Sequence, residues 1–334
     1  MSIMSKYEVL SKHKVFITRK IPDIGIKLLQ KHCEVKVYPQ DHPITKPELQ
    51  RGVQWCNALL CLLTDKIDQD IIEINLNLKI ITNYATGYDN IDLKYATKKR
   101  IPVANVTSIL SADAVAEHTF ALMFTLAKRI VEADQYVRAG KYHFWQPLLL
   151  EGTELTGKIL GIVGLGRIGS GVAERAHAMG MRLIYYDVIA NAKFERHYHA
   201  KRATLPQLLQ RADFVTLHVP LLPTTHHLIG KKELSLMKKT AYLINTARGP
   251  VIDEQALVHA LQQKQLAGAG LDVYEHEPQL TKGLLKLPNV VLTPHTASST
   301  VESRNEMAVD AARNIITALA GQRPPMLLNP QVYE

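Results

Sequence analysis

A chain of 334 residues is longer than one hydrophobic core usually serves, so two domains are expected. With 46% hydrophobic residues and a mean hydropathy of -0.06, the composition excludes a disordered or fibrous chain. The net charge of +9 is spread over short pairs such as Lys98-Lys99, Lys231-Lys232 and Lys238-Lys239, without interleaved aromatics. That pattern argues against nucleic-acid binding and for a field that draws in small anions.

No uninterrupted apolar run is long enough to span a bilayer, and Met1 to Lys14 is polar, without the apolar stretch of a signal peptide. Cys33, Cys56 and Cys61 are an odd, sparse set with no C-x-x-C spacing. They fit a reducing cytoplasm, neither a disulfide framework nor a metal site.

The first third alternates strand and helix. Val15 to Ile17, Val35 to Val37, Ala58 to Leu63, Ile80 to Asn83 and Val103 to Asn105 read as strands. Helical segments fall near Ile24 to His32, Pro47 to Val53, Ile71 to Leu76 and Ile91 to Lys99. The result is a small doubly wound α/β domain without a glycine fingerprint. Its loop from Asn83 to Asp92 lies where a strand gives way to a helix, the usual place for ligands in open sheets. There Thr86 and Gly87 offer backbone N–H groups suited to a carboxylate.

Ser111 to Val137 reads as one long, mostly apolar helix. The segment Tyr142 to Leu148 is polar and aromatic and suits packing against another subunit or covering a site, although composition alone favours Trp145 as a plain hydrophobic anchor.

Ile159 to Val163 is a short β-branched run, followed by Gly164, Gly166 and Gly169 with G-x-G-x-x-G spacing, a helical pattern to Met179, and a strand Arg182 to Tyr186 that ends on Asp187. Gly164 permits the tight turn, Gly166 lets backbone approach a pyrophosphate, and Gly169 allows close helix–strand packing. Asp187 is placed to accept both hydrogen bonds of an adenosine ribose diol. Strand, glycine turn, helix and acid together specify a dinucleotide site.

Further strands are expected at Phe214 to Val219, Ala241 to Asn245, Gly268 to Leu271 and Val290 to Leu292. Helices are expected near Leu205 to Gln210, Lys232 to Met237, Glu254 to Gln263 and Thr300 to Ala320. A single fingerprint in mid-chain makes the second domain an insertion, residues 110–296, within a first domain of 1–109 and 297–334.

Three strand ends carry charged groups: Arg248, Glu277 and His295. Such ends gather ligands in parallel sheets. A histidine is a natural acid for a carbonyl oxygen, and a carboxylate beside it orients the ring and favours its protonated form. An arginine grips a carboxylate in a two-point fork and polarises the neighbouring ketone. Singly, each has an ordinary structural explanation as a surface ion pair, a loop acid or a capping histidine. The trio suits carbonyl reduction by a nicotinamide.

Gly87-Tyr88-Asp89-Asn90-Ile91-Asp92, Asp113-Ala114-Val115-Ala116-Glu117, the Gly164 fingerprint, Asn245-Thr246-Ala247-Arg248-Gly249, Gly270-Leu271-Asp272-Val273 and Pro294-His295 occur in order. On these the chain resembles the D-isomer-specific 2-hydroxyacid dehydrogenases over nearly its whole length. Trp145-Gln146-Pro147-Leu148, Asn83-Tyr84-Ala85-Thr86-Gly87 and Pro324-Pro325-Met326-Leu327-Leu328-Asn329 are most similar to the glyoxylate/hydroxypyruvate reductases among them.

The resemblance implies two doubly wound α/β domains, a Rossmann NAD-binding domain inserted into a flavodoxin-like substrate-binding domain. It implies catalytic roles for Arg248, Glu277 and His295. Thr86 and Gly87, with Leu63 nearby, would hold the substrate carboxylate, alongside Arg248 and His295. Trp145 would reach a partner's pocket in a homodimer. Gly166, Arg167 and Ile168 would meet the pyrophosphate, with Gly164 and Gly169 shaping the turn. His218, Val219, Pro220 and Thr224 would line the adenosine side. Thr107, Ala247 and Asp272 would surround the nicotinamide with Arg248 and His295.

Ser108-Ile109 departs from the Pro-Gly common in the family, which leaves the Thr107 role open. At the ribose, Asp187 followed by Val188 disfavours the 2′-phosphate of NADP(H), with no arginine to neutralise it and only Lys193 to soften the penalty, so NAD(H) is expected. The expected activity is NADH-dependent reduction of glyoxylate and hydroxypyruvate in the cytoplasm. Pyruvate or 3-phosphohydroxypyruvate are the enzymatic alternatives, and a dinucleotide-sensing corepressor-like protein the alternative of another class. The complete Arg248, Glu277 and His295 set argues against the last. Glu277, where formate-type relatives carry Gln, argues against that branch.

Overall fold

The computed structural model describes residues 13–334, so nearly all of the polar stretch Met1 to Lys14 lies outside the described residues. Two compact units emerge: residues up to Ser111 together with Ser299–Glu334, and Ala112–Ser298.

The first unit is a five-stranded parallel sheet of β1 (Lys14–Ile17), β2 (Glu34–Val37), β3 (Ala58–Cys61), β4 (Ile80–Asn83) and β5 (Val103–Ala104), in the order β2-β1-β3-β4-β5. Strands β3 and β4 are buried at every position, because helices cover both faces of a parallel sheet and leave no side for polar alternation. Helices α1 (Asp23–Gln30), α2 (Lys46–Trp55), α3 (Gln69–Glu73) and α4 (Leu93–Lys98) join the strands. The last helix of the chain, here α12 (Val301–Leu319), starts where the Thr300 side chain accepts the Ser303 N–H. Its Met307, Ala308, Ala311, Ala312 and Ile315 form one buried stripe in the core of this unit.

The second unit has seven parallel strands: β6 (Ile159–Val163), β7 (Arg182–Tyr186), β8 (Lys201–Arg202), β9 (Phe214–Leu217), β10 (Tyr242–Asn245), β11 (Gly268–Leu271) and β12 (Val290–Leu292). Their order is β12-β11-β10-β9-β6-β7-β8. The chain therefore reverses its direction of travel across the sheet between β6 and β9, which pair from Leu160↔Phe214 to Val163↔Leu217. Carboxyl ends beside such a reversal open a crevice for a ligand. The remaining helices are α5 (Ile109–Ala127), α6 (Ile130–Arg138), α7 (Arg167–Ala178), α8 (Ala192–Tyr198), α9 (Leu205–Arg211), α10 (Lys231–Leu236) and α11 (Glu254–Gln262).

Several expectations are corrected. The single helix expected over Ser111 to Val137 is two, starting at Ile109 and broken at Arg129, whose φ of 53° is left-handed. Arg129 pairs there with Glu132, and Thr153 donates to the Ala127 carbonyl left by the break. Helix α8 and the edge strand β8 were not expected. Conversely, β3, β5 and β9 stop two, one and two residues early, at Cys61, Ala104 and Leu217, and the residues released form loops. Helix α5 is also long and apolar enough by length and composition to cross a membrane, although no such segment was expected. Asp113, Glu117 and His118 interrupt the apolar run, and Ala116, Phe120, Leu122, Met123 and Leu126 lie in the second unit's core, as in a core helix.

Candidate active site

The glycine loop follows β6 and opens α7. Gly164 has φ +94°, and a Cβ there would lie 2.8 Å from the His218 carbonyl carbon, so only glycine lets the loop after β6 lie against the loop after β9. Gly166, the N-cap of α7, faces open space, where a Cβ would meet nothing within 4 Å. Gly169 is buried, Ile168 half-buried, and Arg167 exposed at the helix start. His218 directly follows β9, and both its ring nitrogens are buried with no hydrogen-bond partner. Burial drives its pKa down to about 3, so the ring is neutral. Val219 is half-buried, and Pro220 and Thr224 are exposed. In this loop it is Thr225, whose hydroxyl donates to the Pro220 carbonyl at 2.6 Å, that ties the turn.

An open cradle over a helix N-terminus, beside neutral polar nitrogens in want of a partner, fits a dinucleotide phosphate and its adenosine. The acid expected for the ribose is there as well. Asp187 Oδ2 accepts the Leu165 N–H at 2.7 Å and Oδ1 the Ile189 N–H at 3.1 Å. Here too the sequence reading needs correcting. Arg202 of β8 donates to the Asp187 carbonyl at 2.9 Å and to that of Val188 at 3.1 Å, so an arginine does stand beside the acid.

Strands β10, β11 and β12 are neighbours, and the loops leaving them carry the three charged residues. After β10, the Asn245 side chain accepts the Ala247 N–H at 3.0 Å and donates to the Arg248 carbonyl at 2.9 Å. Arg248 Nη1 reaches the Ala247 carbonyl at 2.9 Å. A Cβ on Gly249 would sit 1.8 Å from the Tyr274 carbonyl oxygen, so glycine alone lets this loop press on the one after β11. That second loop carries Glu277, whose Oε1 accepts the Tyr274 N–H at 3.0 Å. Its Oε2 lies 2.9 Å from His295 Nδ1. Burial by itself would raise the Glu277 carboxyl. The hydrogen bond and charge of His295, the Tyr274 N–H and the charge of Arg248 outweigh it and hold the group below the usual carboxylate range. An ionised carboxylate only accepts, so Nδ1 of His295 carries the hydrogen and Nε2 is the nitrogen left for chemistry.

Asp272, nominated for the nicotinamide end, is fully buried and committed to the fold. Its Oδ1 accepts from the Thr293 hydroxyl at 2.6 Å and the Thr296 N–H at 2.8 Å, and Oδ2 from the Ala297 N–H at 2.8 Å. These bonds close the turn on which His295 sits at φ 55°.

Leu63, Thr86, Gly87 and Thr107 belong to the first unit. The carbonyls of Ala85 and Thr86 accept from the Val106 N–H at 3.1 Å and the Asn105 side chain at 2.6 Å. In a trans peptide the N–H points opposite its carbonyl, so the Thr86 and Gly87 N–H groups face away from those partners. The Asn83 side chain fixes the Gly87 carbonyl at 2.8 Å and Asn90 at 2.9 Å. Asn90 in turn donates to the Leu62 carbonyl at 3.0 Å and steadies the loop that bears Leu63. The roles of Asn83, Asn90 and Asn105 were missed, since polar residues at strand ends read simply as turn formers.

Trp145 is 76% exposed, with Phe144 and Leu148 beside it in sequence and Ile130, Val131 and Val137 exposed on α6.

Residues 120–297 match the family described as D-isomer specific 2-hydroxyacid dehydrogenase, NAD binding domain. The chain belongs to this family. A glyoxylate reductase of Korarchaeum cryptofilum is 46% identical over 325 residues, covering 97% of this chain and 98% of the relative. Among solved structures of 2-hydroxyacid enzymes, the NADPH-dependent glyoxylate/hydroxypyruvate reductase of Sinorhizobium meliloti, in complex with NADP and malonate, superposes with a TM-score of 0.85 at 27% identity, covering 96% of this chain and 98% of that one. The D-lactate dehydrogenase of Aquifex aeolicus, complexed with NAD and lactic acid, gives 0.83 at 31%, covering 95% and 99%. This 2-hydroxyacid dehydrogenase is thus an oxidoreductase with a Rossmann domain for a nicotinamide cofactor and small 2-oxo or 2-hydroxy acids as its substrate class.

Proposed function

We propose that this dehydrogenase is an NADH-dependent reductase of glyoxylate and hydroxypyruvate, working as a homodimer in the cytoplasm. The observation that carries the chemistry is the His295–Glu277 hydrogen bond at neighbouring strand ends, with Arg248 on the adjoining loop. Arg248 grips the substrate carboxylate and polarises the ketone beside it. His295 delivers the proton from Nε2 to the carbonyl oxygen, and Glu277 fixes the ring plane. The N–H groups of Thr86 and Gly87 hold the carboxylate from the first unit's loop. A reduced nicotinamide, when bound, supplies the hydride for the carbonyl carbon.

Support for glyoxylate comes from the glyoxylate reductase of Korarchaeum cryptofilum at 46% identity. Support for NADH comes from Asp187, a carboxylate that a 2′-phosphate would have to meet. Arg202 favours a second reading in which NADPH is also accepted, because its guanidinium is held on the backbone carbonyls of Asp187 and Val188. The exposed aromatic arm around Trp145 supports the dimer, since an apolar surface of this kind marks a contact. Three unpaired, buried cysteines suit a reducing compartment.

The test is cofactor oxidation with glyoxylate, hydroxypyruvate, pyruvate and 3-phosphohydroxypyruvate, each with NADH and with NADPH. Faster turnover of the first two with NADH is expected. A preference for another acid overturns the substrate, and tight NADH binding without turnover of any 2-oxo acid overturns the enzymatic reading.

A further inference from the structure

Resting on the reading above, we propose that His118 is a positioning residue that holds His295 in its working geometry through Thr293 and Asp272.

His118 lies within α5, and its Nε2 is 3.0 Å from Thr293 Oγ1 and 3.5 Å from Asp272 Oδ1. Thr293 Oγ1 is itself 2.6 Å from Asp272 Oδ1. A carboxylate only accepts, so the threonine hydroxyl donates to Asp272, and its lone pairs take the His118 Nε2 hydrogen. The direction of donation runs from His118 to Thr293 to Asp272.

Asp272 is wholly buried, and a desolvated carboxylate must be met by donors. Two of its donors are the N–H groups of Thr296 and Ala297, which follow His295 directly. The His295 N–H also donates to the Asp272 carbonyl at 2.9 Å. His295 sits in the left-handed region, which a histidine occupies only where its surroundings hold it. The carboxylate is thus the peg on which the His295 turn hangs, and His118 with Thr293 sets the rotation of that peg.

Tyr274, Arg175, Asp113 and Glu117 have partners of their own. Tyr274 donates its hydroxyl to the Thr293 carbonyl at 2.9 Å. On the α5 and α7 side, Arg175 pairs with Asp113 at 3.2 Å and Glu117 at 3.4 Å. His118 keeps 21% of its side chain exposed.

The experiment compares full-length wild type with His118→Ala, His118→Gln and Thr293→Val. Steady-state kinetics with glyoxylate and NADH are measured, together with hydrogen exchange of the amides of Thr296 and Ala297 in the free protein. His118→Ala and Thr293→Val are expected to lower kcat about tenfold, with the KM for NADH within about twofold and faster exchange of both amides. His118→Gln retains an N–H donor of similar reach and is expected to recover most of both losses. Wild-type kcat and exchange in His118→Ala overturn the proposal, as does a Gln variant as impaired as the Ala variant. Should His118→Ala fail to fold, Thr293→Val and His118→Gln decide by the same criteria. Should the wild type reduce no 2-oxo acid, the functional reading falls, and amide exchange alone decides this one, with unchanged protection in the variants overturning it.

Discussion

His295 Nδ1 and Glu277 Oε2 lie 2.9 Å apart, although 18 positions separate them in the chain. The bond spans the loops leaving β11 and β12, and the parallel register from Ala269↔Val290 to Leu271↔Leu292 brings those loops side by side.

His295→Ala removes the proton donor and is expected to lower kcat by about two to four orders of magnitude, with NADH affinity nearly intact by fluorescence titration. Turnover close to wild type would remove His295 from the acid role. Glu277 has its carboxyl held below the ordinary value of 4.5, so its stabilising contribution is present above that pH and is lost as the pH falls through the lower folded value. Glu277→Gln should therefore flatten the acid side of the melting-temperature profile below about pH 4.5. An acid limb as steep as that of the wild type would contradict the assignment.

His218 works in the opposite chemical sense. Its folded pKa of about 3 lies below the ordinary 6.5, so between these values the unfolded chain binds the extra proton. Stability from this residue is complete above about pH 6.5 and declines as the pH falls, by about 1 kcal/mol per pH unit. His218→Leu replaces an unpartnered ring by an apolar side chain, and its melting temperature should drop less than that of the wild type between about pH 7 and pH 5. Parallel curves would show that the ring is solvated.

Asp187→Ala is expected to raise the kcat/KM of NADPH relative to NADH by about tenfold or more, because the 2′-phosphate no longer meets a carboxylate. In Arg202→Ala, NADPH should suffer more than NADH. If both ratios stay put, another group reads the ribose.

Asn105→Ala takes the donor from the Thr86 carbonyl and frees the peptide that aims the Gly87 N–H. A rise of about tenfold in KM for the 2-oxo acid, with kcat changed less, is the expected result. An unaltered KM would mean that this loop does not hold the carboxylate.

Much of the architecture was legible because its signals are local. Runs such as Ile159–Val163 and Phe214–Leu217 are mostly apolar without alternation, since burial on both faces of a parallel sheet removes it. The break at Arg129 was hidden because an apolar helical pattern continues across it, and the ion pair with Glu132 acts only once the chain has turned. The edge strand β8 is two exposed basic residues, a composition that announces no strand.

The sequence by itself determined the alternating α/β class, the glycine turn with Asp187 at the next strand end, and the family motifs, because each rests on residues close together in the chain. Only the tertiary structure decided the strand order that sets β10, β11 and β12 side by side, the arginine beside Asp187, and the clamp of Asp272 on the His295 turn. His118 and Thr293 meet across 175 positions. Such pairings are selected by packing of whole layers, and no spacing in a linear sequence encodes which side chains a folded sheet will bring within 3 Å of each other.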